Sequence, residues 1–312
     1  MRRGGAVRPP RDLARGLRKP PAMPTSGLVS VRGQVMHCLE TGSGAPILFL
    51  HGNPTSSELW RNVMPWLADR GWCIAPDLIG MGRSSKPDIA YRFADHAAFL
   101  EGLIDSLNLD RMAIVTHDWG VALGADLVAR HPDRVRAFAF MEGRLEPLPG
   151  WDAFDEGGRS LFRRFRTPGE GERLILVENM LVEVILQAGT ERALTVDELD
   201  AYRAPYPDAR SRLPLLQWTR EIPVGGEPED VAARMTAAFE ALRASEMPKL
   251  ALHASPGAVI GPGDVARWRA CLPNFAARHV GAGRHFLPHD QPDAIGRTLR
   301  EWTHRSDGFR TR

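Results

Sequence analysis

An aspartate stands where an apolar run gives way to a helical pattern, in Thr116-His117-Asp118-Trp119-Gly120. Strand, tight turn and helix is the setting of a nucleophile elbow, in which a serine usually sits. Serine needs a base to take its proton, whereas a carboxyl with a reference pKa of about 3.9 is already an anion at neutral pH. Asp118 is therefore suited to attack an sp3 carbon directly and leave an alkyl ester on the protein. A competing reading makes Asp118 a cap for the following helix, a role aspartate also favours.

Three other segments carry the partners such chemistry needs. His51-Gly52-Asn53-Pro54 follows the third predicted strand, and Trp119 follows the aspartate. A leaving group such as a halide cannot be usefully protonated and needs N–H donors in a dry pocket. Asn53 offers a side-chain and a backbone donor, and Trp119 an indole N–H. His285 stands after the last predicted strand, where a nucleophile–acid–histidine chain order puts the base that activates water. His117 is next to Asp118, but neighbouring elbow residues point apart, so it reads as structural.

An acid must then orient the imidazole. Glu142 follows the sixth strand directly. Asp264, in Ile260-Gly261-Pro262-Gly263-Asp264, follows the seventh, but its place before a helix also suits a cap. Glu142 is the favoured candidate. Asp77 reads as a residue that organises its own loop.

These residues must be held by alternating strands and helices. Leu28–Val31 and Val35–Glu40 read as a hairpin, and Pro46–Leu50, Trp72–Pro76, Met112–Val115 and Val135–Met141 as buried strands. Helical spacing is predicted after Pro46–Leu50 (Leu59, Trp60, Val63, Met64, Leu67), around Phe99–Leu107 and over Val121–Arg130. The rhythm breaks over residues 144–222, where the pattern predicts helices Arg159–Arg166, Glu172–Gln187, Val196–Tyr202 and Arg210–Arg220 and no strand. It resumes with helix Pro228–Ala244, strand Lys249–Ala254, helix Asp264–Cys271, strand Ala276–Val280 and helix Pro292–His304. The expected fold class is α/β: a mostly parallel, doubly wound sheet with a helical cap inserted after the sixth strand. The main domain is expected over residues 27–143 and 223–304.

Composition narrows the function further. At 312 residues and 43% hydrophobic, the chain is long enough to bury one large core, and no apolar run approaches membrane-span length. Residues 1–26 hold seven Lys/Arg against one acid, while the rest carries 33 bases and 37 acids. The basic character is thus confined to an N-terminal extension expected to be disordered, and the mildly acidic body argues against nucleic-acid binding. Three widely spaced cysteines fit neither a disulfide framework nor a zinc site, which points to a cytoplasmic setting.

Taken together, His51-Gly52-Asn53-Pro54, Asp77 through Pro87, His117-Asp118-Trp119-Gly120, Met141-Glu142 and His285-Phe286 resemble the haloalkane dehalogenases of the α/β-hydrolase fold. The resemblance runs from about Leu28 to Trp302. It implies Asp118 as nucleophile, His285 as base, Asn53 with Trp119 as the halide-binding pair, and Glu142 as the acid of the subfamily that keeps it after the sixth strand. It further implies that residues 144–222 form a cap domain. Phe162, Phe165, Leu181 and Pro214, with Val259 and Phe286, would then line an apolar pocket. No metal or organic cofactor, no nucleic acid and no membrane are implied; the expected partners are a small apolar halogenated substrate and a halide ion, and the expected state is a monomer. Epoxide hydrolases share the aspartate but protonate an epoxide with cap tyrosines, here Tyr202 and Tyr206; that is the alternative function. A coelenterazine-type luciferase also resembles this scaffold. A non-catalytic binding module would be expected to lack the nucleophile or the base, and both are present.

Overall fold

The computed structural model describes residues 23–305. The chain opens with an antiparallel hairpin of β1 (Thr25–Val31) and β2 (Gln34–Thr41). Its turn has two residues, Arg32 and Gly33, at φ of 51° and 77°, the paired left-handed geometry whose twist matches the flanking strands. Thr25 and Ser26 pair with Glu40 and Leu39, so the fold starts inside the segment assigned to the extension. Residues 1–22 lie outside the described residues.

Six further strands complete the sheet: β3 (Pro46–Leu50), β4 (Trp72–Pro76), β5 (Met112–His117), β6 (Val135–Met141), β7 (Lys249–Pro256) and β8 (Phe275–Gly283). Their order is β1-β2-β4-β3-β5-β6-β7-β8. Strand β2 runs antiparallel to both β1 and β4, and all other pairs are parallel. Every residue of β5 is buried, as a central strand covered by helices on both faces must be. The order of strands reverses at β3, with β4 on one side and β5 on the other, and ligands of such sheets sit at the carboxyl ends on either side of that point. Asn53 and Asp118 follow β3 and β5 there.

Several expected helices are reshaped, each for a local reason. The helix predicted from Leu59 to Leu67 is two short 3-10 turns, Ser57–Trp60 and Met64–Trp66. Pro65, inside the second turn, has no N–H to continue an α-helical ladder. Helix Trp119–Arg130 begins directly after the elbow, and helix Glu229–Ala244 directly after Pro228.

Between β6 and β7 the insertion contains helices Glu156–Arg166, Val196–Arg203 and Leu213–Glu221. The predicted Glu172–Gln187 helix is broken at Asn179, with φ of 52°, into wide π-helical turns at Arg173–Val177 and Leu181–Ile185. Helix Leu213–Glu221 starts three residues later than predicted, with Pro214 in its first turn, where the missing N–H costs least.

Candidate active site

Asp118 takes φ 51° and ψ −124°, and its side chain makes no capping bond to helix Trp119–Arg130. The capping alternative is therefore not what the side chain does. Instead Oδ1 accepts the backbone N–H of Asn53 at 2.8 Å. A positive φ is unfavourable for a residue with a Cβ and persists where packing over-determines it, commonly at functional turns. The approach is close: a Cβ on Gly52 would overlap the Asp118 carboxylate.

The other oxygen faces a base. Nε2 of His285 lies 3.4 Å from Asp118 Oδ2, and Nδ1 lies 3.9 Å from Glu142 Oε2. Glu142 is fully buried, and its Oε2 accepts the backbone N–H groups of Ala258 (2.9 Å) and Val259 (2.7 Å). Those bonds fix the carboxylate from the β7 side, while the imidazole arrives after β8. Burial pulls the His285 pKa down, but the Asp118 and Glu142 carboxylates outweigh it and raise it to about 9. For Asp118 burial acts upward, yet His285, His117 and the Trp119 backbone N–H together hold its carboxyl below the ordinary value. Asp264 is elsewhere: it accepts the N–H of Gly261 at 3.0 Å and pairs with Arg267 at 3.0 Å, as a helix cap.

Two nitrogen donors stand beside the carboxylate. Asn53 Nδ2 donates to the backbone carbonyl of Leu215 at 3.0 Å. An amide NH2 carries two hydrogens, so one remains for a ligand. The Trp119 ring packs against Trp218 with centroids 4.5 Å apart and near Phe93 at 6.0 Å, which fixes the direction of its indole N–H. Asn53, Asp118, Trp119 and His285 all face one cavity of about 310 Å³. An already ionised carboxylate, two N–H donors and a base in a largely apolar hollow are the parts that displacement of a halide and hydrolysis of the resulting ester require.

The α/β-hydrolase fold family matches residues 45–292. A haloalkane dehalogenase of Mesorhizobium japonicum is 45% identical over 282 residues, spanning 89% of this chain and 91% of its own. One of Sphingobium indicum is 42% identical over 283 residues, at 89% and 94%. Among solved structures, a haloalkane dehalogenase of Bradyrhizobium elkani superposes with a TM-score of 0.87 at 48% identity, covering 89% of this chain and 97% of that one. One from Agrobacterium tumefaciens superposes at 0.85 with 35% identity, covering 90% and 96%. The chain belongs to the haloalkane dehalogenase family.

In this dehalogenase-family chain the apolar residues divide between the cavity wall and the core. Phe162, Phe165, Leu181, Val259 and Phe286 face the cavity. Pro214 does not: it is buried in the first turn of helix Leu213–Glu221, and that stretch of chain meets the cavity through Thr219, Ile222 and Pro223 instead. The tyrosines on which the epoxide reading rests are also turned away. Tyr202 is buried with its hydroxyl 2.8 Å from His289 Nε2, Tyr206 is buried apart from the cavity, and Tyr91 donates to the Pro87 carbonyl. The chain has three tyrosines in all, so no phenol is placed to protonate an epoxide. Asp77 does organise its loop, accepting the N–H groups of Ser57 (2.7 Å) and Arg83 (2.7 Å) and pairing with His37 at 2.9 Å.

Two neighbours of the site had no sequence signal, and a third, His117, reads as structural from the sequence. Leu215 acts through its backbone carbonyl, which any residue has. Trp218 backs Trp119 from 99 positions away in the chain. His117 is buried, and its Nε2 lies 2.7 Å from the backbone carbonyl of His285, with the two rings 4.9 Å apart. Among the described residues, no cluster of three or more His, Cys, Asp or Glu could hold a metal ion, and no helix is long and apolar enough to cross a membrane.

Proposed function

We propose that the protein converts haloalkanes to an alcohol and a halide through an alkyl ester on Asp118. An oxygen of the Asp118 carboxylate attacks the halogen-bearing carbon. The carbon–halogen bond breaks and its electron pair leaves with the halide, which the Asn53 amide and the Trp119 indole stabilise. The observation that carries this reading is the position of Asp118, with the Asn53 backbone N–H at 2.8 Å on one oxygen and His285 at 3.4 Å from the other.

Alkylation also prepares the second step. Before it, His285 sits between two carboxylates and holds its proton at neutral pH. The ester has no charge, so one of the two groups that raised the imidazole pKa is gone and its proton departs to solvent. The freed Nε2 can then accept a proton from water, with Glu142 stabilising the imidazolium that forms. Water oxygen adds to the ester carbonyl, the Asn53 and Trp119 backbone N–H groups hold the oxyanion, and collapse expels the alkoxide, which takes the proton as alcohol. One water is consumed, and alcohol, halide and a proton are released. Residues 144–222 act as the cap that excludes bulk water, and the remaining pocket admits an apolar halogenated chain.

The deciding experiment is bromide release from 1-bromobutane by the purified protein and by Asp118→Ala, which should release none. In His285→Gln, mass spectrometry should show the alkyl adduct accumulating on Asp118. An unmodified variant that still releases bromide would contradict the ester route.

A further inference from the structure

The cavity wall contains one positively charged side chain that the reaction does not use. Arg144 faces the same cavity as Asp118, Asn53 and Trp119, whose other side walls include Phe162, Leu181 and Phe286. It is the sole Lys or Arg among the described lining residues. Its guanidinium is half-buried and sits 5.5 Å from the centroid of the Phe154 ring, itself part of the wall. Phe154 is in turn stacked on Trp151 and Phe162, at 5.8 and 5.1 Å. The arginine is thus held by an aromatic face, which fixes its plane without using its five N–H donors.

Among the described residues those donors meet no carboxylate. Among the described residues Arg144 has no ion pair and no side-chain hydrogen bond. The acids whose field it feels are Asp264, Asp118 and Glu142, and each has partners of its own. Asp264 is paired with Arg267 and the Gly261 N–H. Glu142 is held by the Ala258 and Val259 N–H groups. Asp118 is engaged by Asn53 and His285. Asp155, the remaining acid on the wall, accepts the Gly158 N–H. The backbone before Arg144 is also tightly seated. A Cβ on Gly143 would overlap Val121 and the Asp118 carbonyl, so Arg144 leaves the main chain immediately beside the elbow, and its side chain meets the Phe154 ring.

From this juxtaposition we infer that the cavity selects halogenated substrates carrying a carboxylate at the end remote from the halogen, with Arg144 as the group that binds it. The inference rests on the dehalogenase reading of Asp118 and names the substrate class for that same site. A planar carboxylate matches the guanidinium fork in a bidentate pair, and the apolar surroundings strengthen a charge-assisted bond of that kind. The methylene chain between carboxylate and halogen would lie along the aromatic and aliphatic wall.

The test compares bromide release from ω-bromocarboxylates, 4-bromobutanoate to 8-bromooctanoate, with release from the 1-bromoalkanes of equal length, in the wild type and in Arg144→Leu and Arg144→Gln. At one optimal length the carboxylate should have the higher kcat/KM in the wild type. Both variants should lose about tenfold or more on that substrate, mainly in KM, and stay within about threefold of the wild type on the bromoalkanes. Added salt should raise KM for the carboxylate alone. Turnover of bromoalkanes with no preference for any carboxylate, or a carboxylate KM unchanged in Arg144→Leu, overturns the inference and leaves the dehalogenase reading standing. Absence of bromide from every substrate overturns both.

Discussion

The side-chain amide of Asn53 is bonded to the backbone carbonyl of Leu215 at 3.0 Å, which ties a donor on the β3 loop to a helix of the insertion. The proposed halide donor is thereby aimed by an element 162 residues away in the chain. Replacing Asn53 by leucine should weaken halide binding and lower kcat/KM by about a hundredfold, the usual cost of losing one preorganised donor. Bromide titration of the tryptophan fluorescence, alongside steady-state kinetics, reads both. Unchanged bromide affinity in the variant would remove Asn53 from the halide site.

Glu142 and Asp264 can be told apart by one pair of substitutions. Glu142→Gln leaves the Ala258 and Val259 N–H groups an acceptor but removes the charge beside His285. It should slow ester hydrolysis about a hundredfold or more and leave the alkyl adduct visible by rapid quench. Asp264→Asn should keep activity within about threefold, since this side chain caps a helix. The opposite ranking would move the acid to β7.

His285 makes stability depend on pH in a defined direction. Its folded-state pKa of about 9 stands above the ordinary 6.5, so the folded protein holds that proton more tightly than the unfolded chain. The contribution is complete below about pH 6.5 and is lost as pH rises through about 9, with a slope of at most about 1.4 kcal/mol per pH unit. Urea unfolding of the wild type and His285→Gln at pH 6 and pH 9 should show a larger loss in the wild type. Equal losses would mean that the pair of carboxylates does not hold the imidazolium.

The bond between His117 and the carbonyl of His285 makes a separate claim about positioning. Phenylalanine at position 117 keeps the ring and removes the donor, and should lower kcat about tenfold with little change in KM. Glutamine, whose amide can reach the same carbonyl, should restore most of it. If both variants behave alike, His117 contributes packing only.

Tyr202 is a structural tyrosine in this arrangement. Its replacement by phenylalanine leaves buried His289 without a partner at Nε2 and should cost about 1–3 kcal/mol of stability, with bromide release per folded enzyme unchanged. Loss of catalysis in a folded Tyr202→Phe protein would revive epoxide chemistry.

Much of this protein could be read from local pattern. Strands β3, β4 and β6 match their predicted limits because a short apolar run buried on both faces has few alternatives. Asp118 stood out because the strand–turn–helix context is contiguous, and His285 and Glu142 because strand ends in a parallel sheet gather on one edge. What stayed hidden came from two sources, local breaks in hydrogen bonding and packing against distant partners. The helix expected at Leu59–Leu67 and the one expected at Glu172–Gln187 kept their apolar spacing but lost their hydrogen-bond ladder, at Pro65 and at Asn179. Pro214 carried an apolar side chain on the expected element, yet the rotation of helix Leu213–Glu221 turned it away from the cavity.

The amino-acid order alone determined the kinds of chemical group available and the order in which strands deliver them, because both depend on residue type and on periodicities shorter than about ten positions. Only the folded chain decided which of them touch. That Glu142 meets His285, that the tyrosines face away, and that Arg144 comes to lie on the wall of the same hollow all depend on distances set by sheet twist and helix packing. Those distances are properties of close packing among many distant residues, and no single segment encodes them.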